Sequence, residues 1–132
     1  MLAVLRFLPR KWTSLENDNS MTLENATSVD AIGIESTTDF AVLTLGDSWD
    51  WTNEQAHLNA LQDKLNAYFQ FIESGQVWES YPAARGRKLV IDVVTRFPLS
   101  AAGQNLLNAA SDIASDLGAV IRHKRFEGSQ TV

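Results

Sequence analysis

The chain has 132 residues, 45% of them hydrophobic and 20% charged, with a formal net charge of −5 at neutral pH. That length makes one domain with a core of its own, and the composition excludes an intrinsically disordered chain. The acidic balance excludes a general nucleic-acid binder, which needs a net basic footprint; the absence of cysteine excludes disulfides, a thiolate nucleophile and a Cys-ligated zinc site.

Residues 1–28 differ in character from the rest of the chain. Met1-Leu-Ala-Val-Leu is apolar, but Arg6, Arg10 and Lys11 come after the apolar run and Pro9 breaks it. A secretory signal has its basic residues first, so this is not one. No apolar run approaches the roughly 20 residues of a spanning helix, and no membrane partner is expected. Residues 13–28 are polar and aperiodic and read as a linker or arm. Met21 stands just before the first strand pattern, which suggests it as the true start, with residues 1–20 an upstream extension. The rival reading is a docking segment in which Leu5, Phe7, Leu8 and Trp12 cover the sheet.

Residues 29–35 and 40–45 are β-rich runs separated by Ser36-Thr37-Thr38-Asp39, the pattern of an antiparallel hairpin. Residues 52–74 predict a long amphipathic helix. Thr52 and Gln55 form a capping box. Leu58, Leu61, Leu65, Tyr68, Phe69 and Ile72 share one face, and Gly75 is placed to end the helix. Residues 76–87 read as a connector. Residues 89–97 form a strand that is apolar on both sides except at Asp92, which marks an interior position. Pro98 ends it. Ser100 then caps a second helix to Leu117, with Leu106, Ala110, Ile113 and Leu117 as its buried stripe. Residues 119–126 form the last strand, and 128–132 are a tail. The fold expected for residues 29–127 is α+β: a two-layer sandwich of order β-β-α-β-α-β, a four-stranded mixed sheet with two helices on one face.

Several stretches together resemble a bacterial family catalogued only as a domain of unknown function. They are Val29-Asp30-Ala31-Ile32-Gly33, Leu43-x-Leu45-x-Asp47-x-Trp49, His57-x3-Leu61-Gln62-x-Lys64-Leu65-Asn66-x-Tyr68, Phe71-Ile72-Glu73-Ser74-Gly75, Tyr81-Pro82 and Gly86-x-Lys88. The resemblance spans residues 29–126. It implies a small cytosolic bacterial protein, supports Met21 as the start, and carries no mechanism.

Several constellations are candidates for function. Asp47, Trp49, Asp50, Trp51 and Glu54 put aromatic plates beside carboxylates between a strand and a helix start. Such a cluster can bind a sugar, a cation or a protein, or can simply close the core and complement the helix dipole. His57, Lys64 and Tyr68 align on the inner side of the long helix and could line a pocket with acid–base capacity. Glu54-x-x-His57 has a metal-ligand spacing but lacks a second copy, so no metal and no cofactor is expected. Arg85, Arg87 and Lys88 flank Gly86 as a candidate anion site. Arg122, His123, Lys124 and Arg125 form a basic patch if they lie side by side, or a charged edge that discourages aggregation. Asp92 can pair with Arg122 or Lys124 across strands.

These features support three functions. The first is a small cytoplasmic protein that binds another protein through Trp49, Trp51, Trp78 and Tyr81, large aromatics of the kind that anchor interfaces. The second is a ligand-binding domain or enzyme built on His57, Lys64 and Tyr68. The third is a homodimer or larger assembly paired through an open sheet face at Val90 and Val94.

Overall fold

The computed structural model describes Leu23 and residues 29–126. The arm apart from Leu23, the proposed extension 1–20 and the tail 128–132 lie outside the described residues. Strand β1 (Ala31–Ile34) and strand β2 (Ala41–Asp47) form the antiparallel hairpin expected from the sequence. The loop between them closes through the Glu35 N–H on the Phe40 carbonyl, with Asp39 at a positive φ of 70°, a conformation that aspartate tolerates better than most residues. Helix α1 (Glu54–Glu73) is followed by a short helix α2 (Gln76–Ser80) and a 3₁₀ turn at Pro82–Ala84. Strand β3 (Leu89–Thr95), helix α3 (Ala101–Asp116) and strand β4 (Ala119–Arg125) complete the domain.

The sheet order is β1-β2-β3-β4, with β2, β3 and β4 parallel. This is the expected two-layer sandwich. Leu43, Ile91 and Ile121 pair in register, as do Leu45 and Val93. With Ala41, Leu89 and Ala119 they form the face on which α1 and α3 pack. Leu23, placed in the arm by sequence, is buried in this same core.

Three expectations are corrected. The N-cap of α1 is Asn53, whose carboxamide oxygen accepts the Ala56 N–H at 3.1 Å, and not Thr52. Thr52 is drawn out of the helix because its N–H goes to the Asp50 carboxylate, so the Thr52–Gln55 capping box does not form. The connector 76–87 holds α2 and the 3₁₀ turn, with Gly75 at φ 86° between α1 and α2. The buried stripe of α3 runs through Gly103, Leu107, Ala110, Ile113 and Ala114 rather than Leu106 and Leu117, which are half-buried. Gly103, Ala110 and Ala114 let the helix approach its neighbours closely, and Leu107 and Ile113 fill the space between them.

The opposite face of the sheet carries Val42, Thr44, Val90, Asp92, Val94, Val120, Arg122 and Lys124. Arg122 donates to Asp92 through Nε at 2.7 Å and to Glu35 through a terminal nitrogen at 3.0 Å. Glu35 follows β1 and Arg122 stands on β4, so this charged arch spans the sheet over β2 and β3. Val90 is only 1% exposed, so the bare apolar patch expected at Val90 and Val94 is absent at Val90.

Candidate functional site at the carboxyl end of the sheet

In an open sheet of parallel strands, side chains converge beyond the carboxyl ends. Here that end holds Asp47 of β2, Thr95 of β3, and His123 and Arg125 of β4. Asp47 and Thr95 are direct register partners on the helix-covered face. The segment after β2 turns back at once: the Asp47 carboxylate accepts the Trp49 N–H at 3.0 Å. The chain then enters α1 and brings His57 under the strand end.

His57 Nε2 lies 2.6 Å from Asp47 Oδ2, with both side chains 1% exposed. Its Nδ1 lies 2.9 Å from the Asp50 carbonyl oxygen. A carbonyl oxygen only accepts, so Nδ1 carries a proton. The Nε2–Oδ2 contact is a hydrogen bond that places one proton between the ring and the Asp47 carboxyl. Trp51 stacks on the imidazole with centroids 3.6 Å apart and an interplanar angle of 23°. Trp49 is tilted against the same ring, with centroids 5.6 Å apart. Trp51 is fixed in turn by its indole N–H on the Pro98 carbonyl at 2.9 Å. It also lies so close to α3 that a Cβ on Gly103 would come within 2.8 Å of the ring. The cluster of Asp47, Trp49, Trp51 and His57 is a closed latch. It ties the β2 end and the start of α1 to the β3–α3 loop.

Lys64 and Tyr68 do not share this site. They lie on the same seam of α1, but seven residues of helix put about 10 Å between His57 and Lys64 along the axis. Lys64 Nζ meets Asp30 Oδ1 at 2.7 Å, with both side chains fully buried. The other carboxylate oxygen accepts the Gly46 N–H at 2.9 Å. The Tyr68 hydroxyl accepts the Asp30 N–H at 2.8 Å and donates to the Thr44 carbonyl. β1 covers only four of the seven residues of β2. Asp30 and Tyr68 supply hydrogen bonds where the strand partner runs out, as buried backbone groups require. Burial foremost, then the Asp30 charge, pushes the Tyr68 phenol well above its ordinary range; it stays a neutral donor. The pocket expected from His57, Lys64 and Tyr68 is thus two separate buried clusters, each closed on its own aspartate.

The remaining candidates are also accounted for. Trp49, Trp78 and Tyr81 are half-buried and pack against the core. Arg87 is engaged by the Ala83 and Asp39 carbonyls. Arg85 and Lys88 are exposed on either side of it. Glu54 is exposed while His57 is turned inward to Asp47, so their spacing does not assemble a ligand pair. Among the described residues no group of three His, Asp or Glu side chains could hold a metal. The four basic residues of β4 alternate between the two faces of the sheet. Arg122 and Lys124 both lie by Asp92, and His123 and Arg125 lie on the other side. A depression of about 370 Å³ on the β1–β2 face is lined by Ala31, Gly33, Val42, Thr44 and Glu35. Its one charged group, Glu35, is already held by Arg122.

Two features escaped the sequence reading. Phe97 and Phe126 are 38% and 52% exposed and leave the same end of the sheet, where the Phe126 N–H donates to the Thr95 carbonyl at 2.8 Å. His123 Nε2 lies 2.8 Å from the Thr95 hydroxyl. Burial, then the Arg125 charge, lowers the His123 pKa from its ordinary 6.5, against an upward pull from Asp47. The folded pKa is below the unfolded one, so the stability from neutral His123 is fully present above pH 6.5. It is lost as pH falls through the folded value. Denaturant titrations at pH 7.5 and 5 are expected to show a smaller acid loss in His123→Gln than in the wild type. An equal loss in both would show that His123 is not the group responsible.

Fold and site together define an α+β domain with an open four-stranded sheet, a closed latch at its carboxyl end and no helix among the described residues long and apolar enough to cross a membrane. Residues 21–127 match a family described as "Family of unknown function (DUF6572)". The match covers most of the chain, and the chain belongs to that family. No curated protein and no solved structure matches it.

Proposed function

We propose that this domain is a non-catalytic protein-binding module, whose contact surface is the carboxyl end of the sheet and β4 beside it. The observation that carries this reading is the division between what is enclosed and what is offered. Asp30, Asp47, His57, Lys64 and Tyr68, the polar core at and beside the inner seam of α1, are all buried with internal partners, and His123, the exposed imidazole, is engaged by the Thr95 hydroxyl. A general acid or base needs to reach a substrate proton. The large apolar side chains on offer among the described residues are Phe97, Val120 and Phe126. All three stand on β4 or at the strand end next to it. Aromatic residues at an exposed edge supply binding area with little ordering cost. Trp49, Trp51, Trp78 and Tyr81, the anchors expected from sequence, serve the fold more than a partner. A cytoplasmic, bacterial setting belongs to the same proposal, resting on the sequence resemblance and the lack of cysteine.

The test is site-specific photocrosslinking in cells, with a crosslinking phenylalanine analogue placed at Phe97, at Phe126 and at the distant exposed Glu73. The same adduct from the first two positions and none from the third supports the reading. It should vanish in Phe97→Ser/Phe126→Ser protein that retains the wild-type melting temperature. Equal labelling from Glu73, or none from either phenylalanine, overturns it.

A further inference from the structure

The carboxyl end of the sheet carries exposed charges of both signs, sorted by strand. Asp50 and Glu54 are exposed beyond β2, in the turn and at the first residue of α1. Arg96 is exposed just past β3, and Arg125 is exposed at the end of β4. With them stand Phe97 beyond β3 and Phe126 beyond β4, 38% and 52% exposed. The strand order β2-β3-β4 therefore runs from an acidic side, past the two aromatic rings, to a basic side. Lys64, Arg87, Arg122 and Lys124 each meet a carboxylate within the fold. Asp50, Glu54, Arg96 and Arg125 form no ion pair among the described residues. Arg96 touches only the Phe97 ring, at 5.9 Å.

That sorting selects the partner. A partner surface of one sign leaves half of this end opposed: an acidic one meets Asp50 and Glu54, and a basic one meets Arg96 and Arg125. A second copy opposes neither half. Turned about a two-fold axis through Phe97, beyond the middle strand of the three, it lays its acidic side on the basic side of the first copy and its basic side on the acidic one. Each contact is then made twice, as a two-fold interface requires, and the Phe97 rings meet at the centre. The net charge of −5 repels two copies at a distance, but physiological salt screens that repulsion within about 8 Å, and at contact the four sorted charges act. We propose that the chain pairs with a second copy through this end of the sheet. Phe97 and Phe126 supply apolar contact area, and Asp50 and Glu54 of each copy face Arg96 and Arg125 of the other. This deepens the protein-binding reading and rests on it.

The test is sedimentation equilibrium on the full chain and on two charge-swapped variants, Arg96→Glu/Arg125→Glu and Asp50→Lys/Glu54→Lys. The wild type is expected to dimerise with rising concentration, and about 0.5 M salt should weaken the dimer by about tenfold or more. Each variant alone sets like charges on both halves and should stay monomeric, with a melting temperature near that of the wild type. Mixed in equal amounts, the two variants restore opposite charges on both halves and should form a mixed dimer. That recovery requires both variants to be folded. A wild type that is monomeric at about 1 mM overturns the proposal. So does a dimer that both variants keep, since it would be paired through another surface, and so does a mixture that stays monomeric while the wild type dimerises. If the crosslinks from Phe97 and Phe126 give an adduct with a different protein while the chain stays monomeric, the second copy fails as the partner and the protein-binding reading stands. If the chain is monomeric and neither phenylalanine gives an adduct, both fail.

Discussion

Replacing Asp30 with alanine is expected to lower the stability of the domain by about 3–5 kcal/mol, the cost of removing one partner from a buried ion pair. Asp30 and Lys64 meet at 2.7 Å with both side chains fully enclosed. The substitution strips the carboxylate from a buried ammonium and removes the acceptor of the Gly46 N–H at the uncovered end of β2. The desolvation penalty of that ammonium dominates the loss, so adding Lys64→Met should return a large part of it. Urea midpoints of the two single variants and the double variant measure the coupling. A loss under about 1 kcal/mol for Asp30→Ala would place the pair among weak surface-type bridges and remove it as the fastening of β1 to α1.

The pH dependence has a definite sign. Burial foremost raises the Asp30 pKa, against the Gly46 N–H and Lys64, which lower it. The native state then holds the Asp30 proton more readily than the unfolded chain. Its contribution is fully present below the unfolded pKa and is lost as pH rises through the folded one. Glu35 behaves oppositely. The hydrogen bond from Arg122, then that from Thr38, holds its carboxyl below the ordinary value, so its contribution is lost as pH falls through the folded pKa. Acid sensitivity therefore comes from Glu35, from Asp50, whose carboxyl the Thr52 N–H holds below its ordinary value, and from His123, and not from Asp30.

Much of this architecture is legible in the residues because it rests on period. The two-residue alternation of β2, the long seam of α1 and the cap at Ser100 are local patterns, and each survives folding. The Asp92–Arg122 contact is legible as well, since parallel neighbours in register bring it about. Short elements are not. Five residues of α2 are too few to show a helical period. In α3 the alanines and glycine make the apolar arc so broad that its centre is set by closeness to the sheet, not by residue size. The polar core was half legible. His57, Lys64 and Tyr68 stand out as a row because they share a seam, yet a helical wheel discards the axial distance that separates them. Their partners come from topology: Asp30 precedes the edge strand and Asp47 ends its neighbour. Only the strand pairing shows that one caps Lys64 and the other His57. Phe97 and Phe126 escaped because single aromatics after strand ends have no periodic neighbours to mark their exposure.

His57→Phe is expected to cost about 3–5 kcal/mol as well, although the ring, its stacking area and most of its volume are retained. The reason lies in Asp47. With the imidazole gone, the Asp47 carboxyl, whose side chain is 1% exposed, keeps the Trp49 N–H but has lost its other partner. The Asp50 carbonyl oxygen loses its donor at the same time. His57→Phe/Asp47→Leu should therefore be more stable than His57→Phe alone, because no buried carboxyl is left without its partner. The hydrogen bonding is checked independently by nitrogen-15 NMR of the imidazole, which should show a proton on Nδ1, the nitrogen that faces the Asp50 carbonyl. The two measurements discriminate between a latch and a catalytic group. A latch gives a large loss in His57→Phe, recovery in the double variant and a protonated Nδ1. If His57→Phe kept full stability and Nδ1 carried no proton, the imidazole would be free of a structural duty. The carboxyl end of the sheet would then be a site for proton transfer, and the binding reading would lose the division between enclosed and offered groups on which it stands.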